Sequence, residues 1–581
     1  MANDQNFAGY KLPTQPALKR SRQTDGFLTP TEDKIAQVHS LLPRRVLPII
    51  FLPGIMGSNL RMKPERQQDM GRENNIAWRP DSLDQSRVLL EASAATRQLQ
   101  LDPNLTEVDE YDPVTNPTGN AHETADERHE DVEIKLWYTL GVGIDTPLLM
   151  DDPFTAKQRK LKDQKARERG WGEVFFDSYQ ELLEMCEQRL NTAFVGGKLN
   201  RWWRQIVNVP PADWQANAQP PLMPLDEKTL KQAVKDCWFP VHAMGYNWLQ
   251  SNGESARRIA KRINLLIKRY EQQGYQCEKV IVVTHSMGGL VARALIHPAI
   301  GNLSDKVLGI VHGVMPATGA GAAYKRMRCG FEDPGLNSTS PKASITAKVL
   351  GNFGSEVTAV LGNAQGGLEL LPSKAYGDCW LRVMHKGDLL LSLPQKGDPY
   401  EEIYKVRGKW YSLIREEWLN PANVEDGPNF SKTCKLLDNA KAFHEQICDT
   451  YHPLSFAHYG ADAKRSAWHH VVWDLDPKAK ILAVETLRIE DDDEQGNLRV
   501  NNVSTEFECT VRFSAAMQAA CDPGDQTVPL HSAEHQLRSG KFKGVFRQSG
   551  YEHQASYNDK RALNATIYSL VRIAQSMVWT K

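Results

Sequence analysis

The chain has 581 residues, 41% of them hydrophobic, and its 70 Lys and Arg against 71 Asp and Glu leave a net charge of −1. Such a length implies roughly two to four domains or one heavily decorated core, and the near-neutral balance excludes binding to nucleic acid or anionic surfaces by global charge. Nine cysteines, an odd number without a C-x-x-C pair, argue against a zinc site or a dense disulfide framework and for mostly reduced structural thiols.

Residues 1–45 are polar, with prolines at 13, 16, 30 and 43, and predict an N-terminal arm with one short helix around Glu32–Leu41. The first residues hold no apolar h-region and no run reaches the length of a membrane span, so a cytoplasmic product without an ordinary secretion signal is expected. VLPIIFLPGIMGSNL (46–60) reads as a buried strand entering a tight loop at Pro53-Gly54. The acidic stretch 100–132, rich in Asn, Pro and Thr, reads as a surface loop. KQRKLKDQKARERG (157–170) reads as a basic helix with a solvated face, contact with phosphate headgroups being the alternative. VFFDSYQELLEMCEQRLNTAF (174–194) has helical apolar spacing, and DCWFPVHAMGYNWLQSN (236–252) predicts a strand and loop. Ser255–Gln273 sets Ile259, Ile263, Leu266, Ile267 and Tyr270 on one apolar stripe, with Gly274 as its stop.

Strand 279–284, helix 287–297 and strand 306–312 complete an alternation that predicts an α/β fold, a mostly parallel sheet flanked by helices. From about 320 to 505 the rhythm breaks into Gly-rich loops, aromatic clusters and a hairpin around EDDDEQGN (490–497). The strand-like TEFECTVRFSA and GVFRQ then precede a final helix, RALNATIYSLVRIAQSMVW. The expected organisation is an arm (1–45), a first core segment with its acidic loop (46–135), a helical insertion (136–235), a second core segment (236–320), a large cap or insertion (321–504) and a third core segment (505–581).

At VIVVTHSMGGLVARALI (280–296) a β-branched strand turns through Ser286 into an Ala/Leu-rich helix. Strand, small-x-Ser-x-Gly, helix is the arrangement of a nucleophile elbow, in which a strained serine lifts its hydroxyl above the sheet. Gly288 and Gly289 supply the required small residues, while Thr284 stands where glycine is usual; the plain alternative is a serine that caps the helix. A serine needs a histidine base and a carboxylate to orient it, here in the chain order Ser, Asp, His. Asp525, in the Gly-Asp-x-Thr-Val turn of ACDPGDQTVP (520–529), is the expected acid, with Asp522 as its rival. His553, in the polar loop GYEHQASY (550–557), is the expected base, since His531 and His535 lie close to the acid's own turn. The oxyanion would be held by the backbone N–H groups of Met287 and Ile55, the latter in the Pro53-Gly54 loop.

PIIFLPGIMGSNL, GYNWLQS, VVTHSMGGLVARAL, GGLELLPS (366–373) and GDQTVP together resemble the α/β-hydrolase branch that contains lecithin:cholesterol acyltransferase and the GPI inositol deacylases. RGWGEVFFDSY (169–179), VMPATGAGAAYKR (314–326) and VRFSAAMQAACDPGDQTVP are further similar to the bacterial type VI secretion lipase effectors. That resemblance implies an antibacterial phospholipase acting on target-cell phospholipid, carried by a spike protein into a neighbour's periplasm and neutralised at home by an immunity protein. Carried over by position, it implies Ser286, Asp525 and His553 as the triad. No cofactor, no catalytic metal and no nucleic-acid partner are expected, while a structural metal is left open. An acyltransferase, a carboxylesterase on another ester and a non-catalytic binding protein of the same fold are the alternative readings.

Other signals read as structural. Trp468-His469-His470 offers imidazoles, but neighbours on a strand point to opposite faces. EDDDE (490–494) lacks calcium-loop spacing and reads as a solvated hairpin tip. MPATGAGAAY (315–324) lacks the phosphate-loop Lys and reads as a flexible rim beside the active site. Phe353, Leu368, Leu370, Leu371 and Trp380 would either line an acyl pocket under the cap or form the insertion's own core.

Overall fold

The computed structural model describes residues 44–80, 88–89, 91–110, 166–195, 197–331, 349, 351–478, 483–504, 509–550 and 552–580, with the backbone of three short strands in the N-terminal arm. Those strands, Gln15–Pro16, Arg22–Gly26 and Gln37–Leu41, pair antiparallel in sequence order. Over Gln37–Leu41 the expected short helix is therefore replaced by a strand. A lone helix of that length is marginal, whereas pairing with Arg22–Gly26 satisfies its backbone groups.

A seven-stranded sheet organises the molecule. In chain order its strands are β1 (Ile49–Leu52), β2 (Asn217–Gln219), β3 (Val241–Ala243), β4 (Val280–His285), β5 (Val307–Gly313), β6 (Ser455–Gly460) and β7 (Phe542–Gln548). Across the sheet they run β2-β7-β6-β5-β4-β1-β3, all parallel except β2, which pairs antiparallel with β7 at one edge. Both faces are covered, so β1 and the first four residues of β4 are apolar at every position rather than at alternate ones. Ile50, Leu52, Val280 and Val282 face one helical layer; Ile49, Phe51, Ile281 and Val283 face the other.

The first layer contains α2 (Asn252–Gln272) and α3 (Gly288–Ile296); the second contains α1 (Phe176–Asn191) and α5 (Lys560–Ala574). Ser251 caps α2 by accepting from the Glu254 N–H at 3.0 Å, a contact of about 1 kcal/mol, and Gly274 follows its end at φ +84°. Arg293 of α3 is buried and donates to the carbonyls of Ile447 and Cys448 at the end of α4 (Phe430–Ile447). Those carbonyls have no intrahelical partner, and the cation matches their end of the helix dipole. The elbow helix is thus fastened to the insertion.

The insertion contributes a second, mostly antiparallel sheet of six strands, in the order Asp388–Leu393, Leu381–His385, Val471–Leu475, Cys509–Met517, Asn497–Ser504, Arg488–Asp492. Two boundaries expected from the sequence move. Ser455–Gly460 lies within the expected insertion yet is the central strand β6; SFAHYG has none of the β-branched run that marks β4. Cys509–Met517, expected in the third core segment, pairs along its length with Asn497–Ser504, so the boundary at 505 falls inside a hairpin.

Further local expectations are revised. Leu368, Leu371 and Trp380 are buried in the apolar cluster that also holds Ile50 and Val282 of the sheet, Leu370 packs against it, and Phe353 is 40% exposed. The first three belong to a core continuous between insertion and sheet rather than to a separate core of the insertion. At the EDDDE tip, Asp492 turns inward onto Arg415 at 2.9 Å and Arg328 at 3.7 Å. The 315–324 loop is packed rather than a free rim: a Cβ on Gly319 would meet the Leu371 carbonyl at 2.2 Å. Of 157–170 only the end is described, and there Arg167 and Arg169 are buried, Arg169 on Glu187 at 2.6 Å. Of the acidic stretch 100–132, Thr106–Val108 is a strand beside Leu60–Met62; residues 111–132 lie outside the described residues. No disulfide joins the described cysteines.

Candidate active site

The β4-to-α3 turn raises Ser286 at φ +52°, a left-handed conformation that costs a non-glycine residue about 1–3 kcal/mol. The turn is held by the Ser286 N–H on the Gly313 carbonyl at 2.8 Å. A Cβ on Gly288 would come within 2.5 Å of the Leu52 and Pro53 carbonyls, and one on Gly289 would come within 2.5 Å of the Met315 sulfur. Glycine at 288 is what lets α3 approach the end of β1, and glycine at 289 leaves room for Met315 after β5. Thr284 is accommodated because its side chain lies inside the sheet layer, fully buried, while its carbonyl accepts from the Tyr557 hydroxyl at 2.8 Å.

Around this turn the chain brings together three side chains from distant segments. His553 Nε2 lies 2.8 Å from Ser286 Oγ, and His553 Nδ1 lies 2.9 Å from Asp525 Oδ2. The carboxylate can only accept, so Nδ1 carries the proton and Nε2 accepts from the serine hydroxyl. Asp525 Oδ1 accepts from the Val528 and Thr527 N–H groups at 2.7 and 3.1 Å, and the Asp525 carbonyl takes the His553 N–H at 2.9 Å. A carboxylate so fully bonded cannot rotate away from the imidazole. Asp522 is turned elsewhere, onto the His470 ring at 3.1 Å and its N–H at 2.9 Å. His531 bonds the Tyr376 carbonyl and His535 the Tyr451 hydroxyl.

The Pro53–Gly57 loop lies against the elbow: a Cβ on Gly54 would sit 3.0 Å from Ser286 Cβ. The N–H groups of Met287 and Ile55 have no acceptor among the described residues. Two residues beside the site carried no functional expectation. His285 Nε2 lies 3.0 Å from the His553 carbonyl, and its Nδ1 lies 3.1 Å from the Tyr179 hydroxyl, which takes the Gly54 N–H at 3.3 Å. Since a carbonyl only accepts, Nε2 is the protonated nitrogen, and the relay runs Gly54 N–H to Tyr179 O–H to His285 to His553. Burial holds the His285 imidazole down at about 3, so it stays neutral, and lifts the Tyr179 phenol to about 12. Tyr179 is marked in the sequence by its helical spacing and as the last residue of RGWGEVFFDSY, neither of which gives it a role.

A strained serine on a strand-to-helix turn, with a carboxylate and an imidazole brought to it from later in the chain at the same edge of a parallel sheet, defines the α/β-hydrolase fold. The family described as PGAP1-like alpha/beta domain matches residues 204–326. The solved structure of the Tle4-Tli4 complex contains a chain 31% identical to this one, covering 92% of this chain and 99% of that one, with a TM-score of 0.70. On that identity and coverage, this chain belongs to the family of Tle4, the type VI secretion lipase effectors. No curated protein matches it. Among the described residues, no helix is long and apolar enough to cross a membrane.

Proposed function

We propose that this protein is a serine-dependent phospholipase, an antibacterial effector that hydrolyses ester bonds of target-cell membrane phospholipids. The observation that carries the reading is the continuous pair of hydrogen bonds from Asp525 through His553 to Ser286. His553 Nε2 takes the hydroxyl proton as Ser286 Oγ attacks the ester carbonyl. Asp525 stabilises the imidazolium that forms, and the Met287 and Ile55 N–H groups receive the developing oxyanion. The imidazolium then protonates the departing alcohol, leaving an acyl-serine. Water, deprotonated by the same imidazole, attacks that ester and releases the fatty acid.

Delivery by a spike protein into a neighbour's periplasm, and restraint at home by an immunity protein, complete the proposal; the pairing of Tle4 with Tli4 in its solved structure supports the second. The test is mass spectrometry of products from vesicles of phosphatidylethanolamine and phosphatidylglycerol. Wild type should release free fatty acid and lysophospholipid, and Ser286→Ala should release neither. Hydrolysis that persists in the variant, or a wild type inert on every lipid ester offered, rejects the reading.

A further inference from the structure

We infer that His469, His470 and Asp522 form a binding site for a divalent transition-metal ion, with zinc as the best fit. Neighbouring histidines on a strand would diverge, but residues 468–470 are not strand: they form the bend between Asp462–Ala467 and Val471–Leu475. The bend lays the two imidazoles side by side, 4.1 Å between centroids and 32° apart. One nitrogen from each ring and one Asp522 oxygen all lie within 4.8 Å of one another. Ligands about 2.0–2.2 Å from a tetrahedral zinc are separated by about 3.3 Å, so small side-chain rotations close the set.

The surroundings fix this arrangement. The His469 ring is stacked on His531 at 3.9 Å and 9°, and its nitrogens make no hydrogen bond among the described residues. The Tyr376 hydroxyl holds the bend by its carbonyls at Trp468 and His469. His470 is already seated on Asp522 through both ring and N–H. All three residues are partly exposed, so an ion and its remaining water ligands have access. Two imidazoles and one carboxylate suit zinc or a neighbouring first-row ion, whereas calcium and magnesium take oxygen ligands.

The place of the cluster gives it a consequence. Asp522 opens the short strand Asp522–Gly524, which pairs with Asp462–Ala467 and leads directly to Asp525. An ion there clips the turn that carries the acid to the loop between the two sheets. The site does not touch the Ser286 chemistry, and its existence is read by binding rather than by hydrolysis.

The experiment uses the full-length protein stripped with chelator and titrated with zinc chloride alone by calorimetry, with melting curves alongside. One ion per chain is expected, with a raised Tm. Affinity should fall about 10–100-fold and the Tm shift should vanish in His470→Ala and in His469→Gln, each checked for a native circular-dichroism spectrum. Because the exposed Cys521 sulfur lies 3.9 Å from Asp522, Cys521→Ser is run in parallel and cobalt(II) is bound as an optical probe. A cobalt spectrum without a thiolate charge-transfer band supports the assignment. Binding lost with Cys521→Ser but kept in His470→Ala, or less than half an ion per native chain, overturns it.

Discussion

The Nε2 of His285 sits 3.0 Å from the main-chain carbonyl of His553, so the residue that precedes the nucleophile holds the backbone of the base. Through Tyr179 the same ring reaches Gly54, in the loop that carries the Ile55 amide. The backbone of His553 and the Gly54 loop are therefore both registered to the elbow by one neutral imidazole. His285→Ala should lower kcat by about 10–100-fold with KM nearly unchanged, as expected when catalytic groups are displaced by a fraction of an ångström. Tyr179→Phe, which removes one hydroxyl from the relay, should cost about 1–3 kcal/mol of stability and a smaller part of kcat. Steady-state kinetics with urea melts of both variants tests this; a full kcat in both would remove His285 and Tyr179 from any positioning role.

Asp525→Asn should keep the fold but hold the imidazole in the wrong tautomer, reducing kcat by about 10²–10⁴-fold. Ser286→Ala and His553→Ala combined should be no less active than either alone, because the two groups act as one unit. Additive losses in the double variant would contradict the shared mechanism.

The elbow should tolerate no side chain at Gly288. The added Cβ would sit 2.5 Å from two carbonyl oxygens of the β1 turn, and backbone cannot yield as a flexible side chain can. Gly288→Ala is expected to lose several degrees of Tm together with activity. A variant with wild-type Tm and rate would show that α3 can retreat from β1.

Glu369 gives a pH signature. Its carboxylate accepts from the Asn252 N–H and side-chain amide at 2.8 and 2.7 Å, at the start of α2, and burial pushes it up to about 8 from an ordinary 4.5. Below 4.5 the group is protonated in both states and its contribution to stability is complete. Between 4.5 and 8 the unfolded chain gives up its proton while the fold retains it, so stability falls as pH rises, by a few kcal/mol in all, at about 1.4 kcal/mol per unit. Glu369→Gln, which keeps an accepting oxygen, should lack this loss, so its advantage over wild type should grow from pH 5 to pH 8.5. Urea melts at the two pH values decide the matter; parallel slopes would refute it.

The parts legible in the sequence were those governed by local pattern. The run VIVVTH, buried on both faces, and the glycines after Ser286 marked β4, the elbow and α3, and the apolar stripe of α2 located that helix within a few residues. Asp525 and His553 were legible through chain order joined to turn chemistry. What stayed hidden depends on long-range pairing. SFAHYG becomes a central strand because β5 and β7 flank it, not because its residues favour extension. The bend at 468–470, which aligns two histidines that a strand would part, is set by Tyr376 from another segment. Tyr179 and Asp492 looked like ordinary helix and hairpin residues, and only their partners distinguish them.

The position of β6 and β7 in the chain bears on how the molecule is made. While it is still on the ribosome, β5 has β4 on one side and an open row of backbone groups on the other until Ser455–Gly460 emerges. Phe542–Gln548 must then follow before His553 can reach the elbow. During that interval the nascent chain holds its nucleophile on an unfinished sheet with no base to activate it. On the proposed mechanism, the three side chains of the triad therefore meet only as the last strands dock.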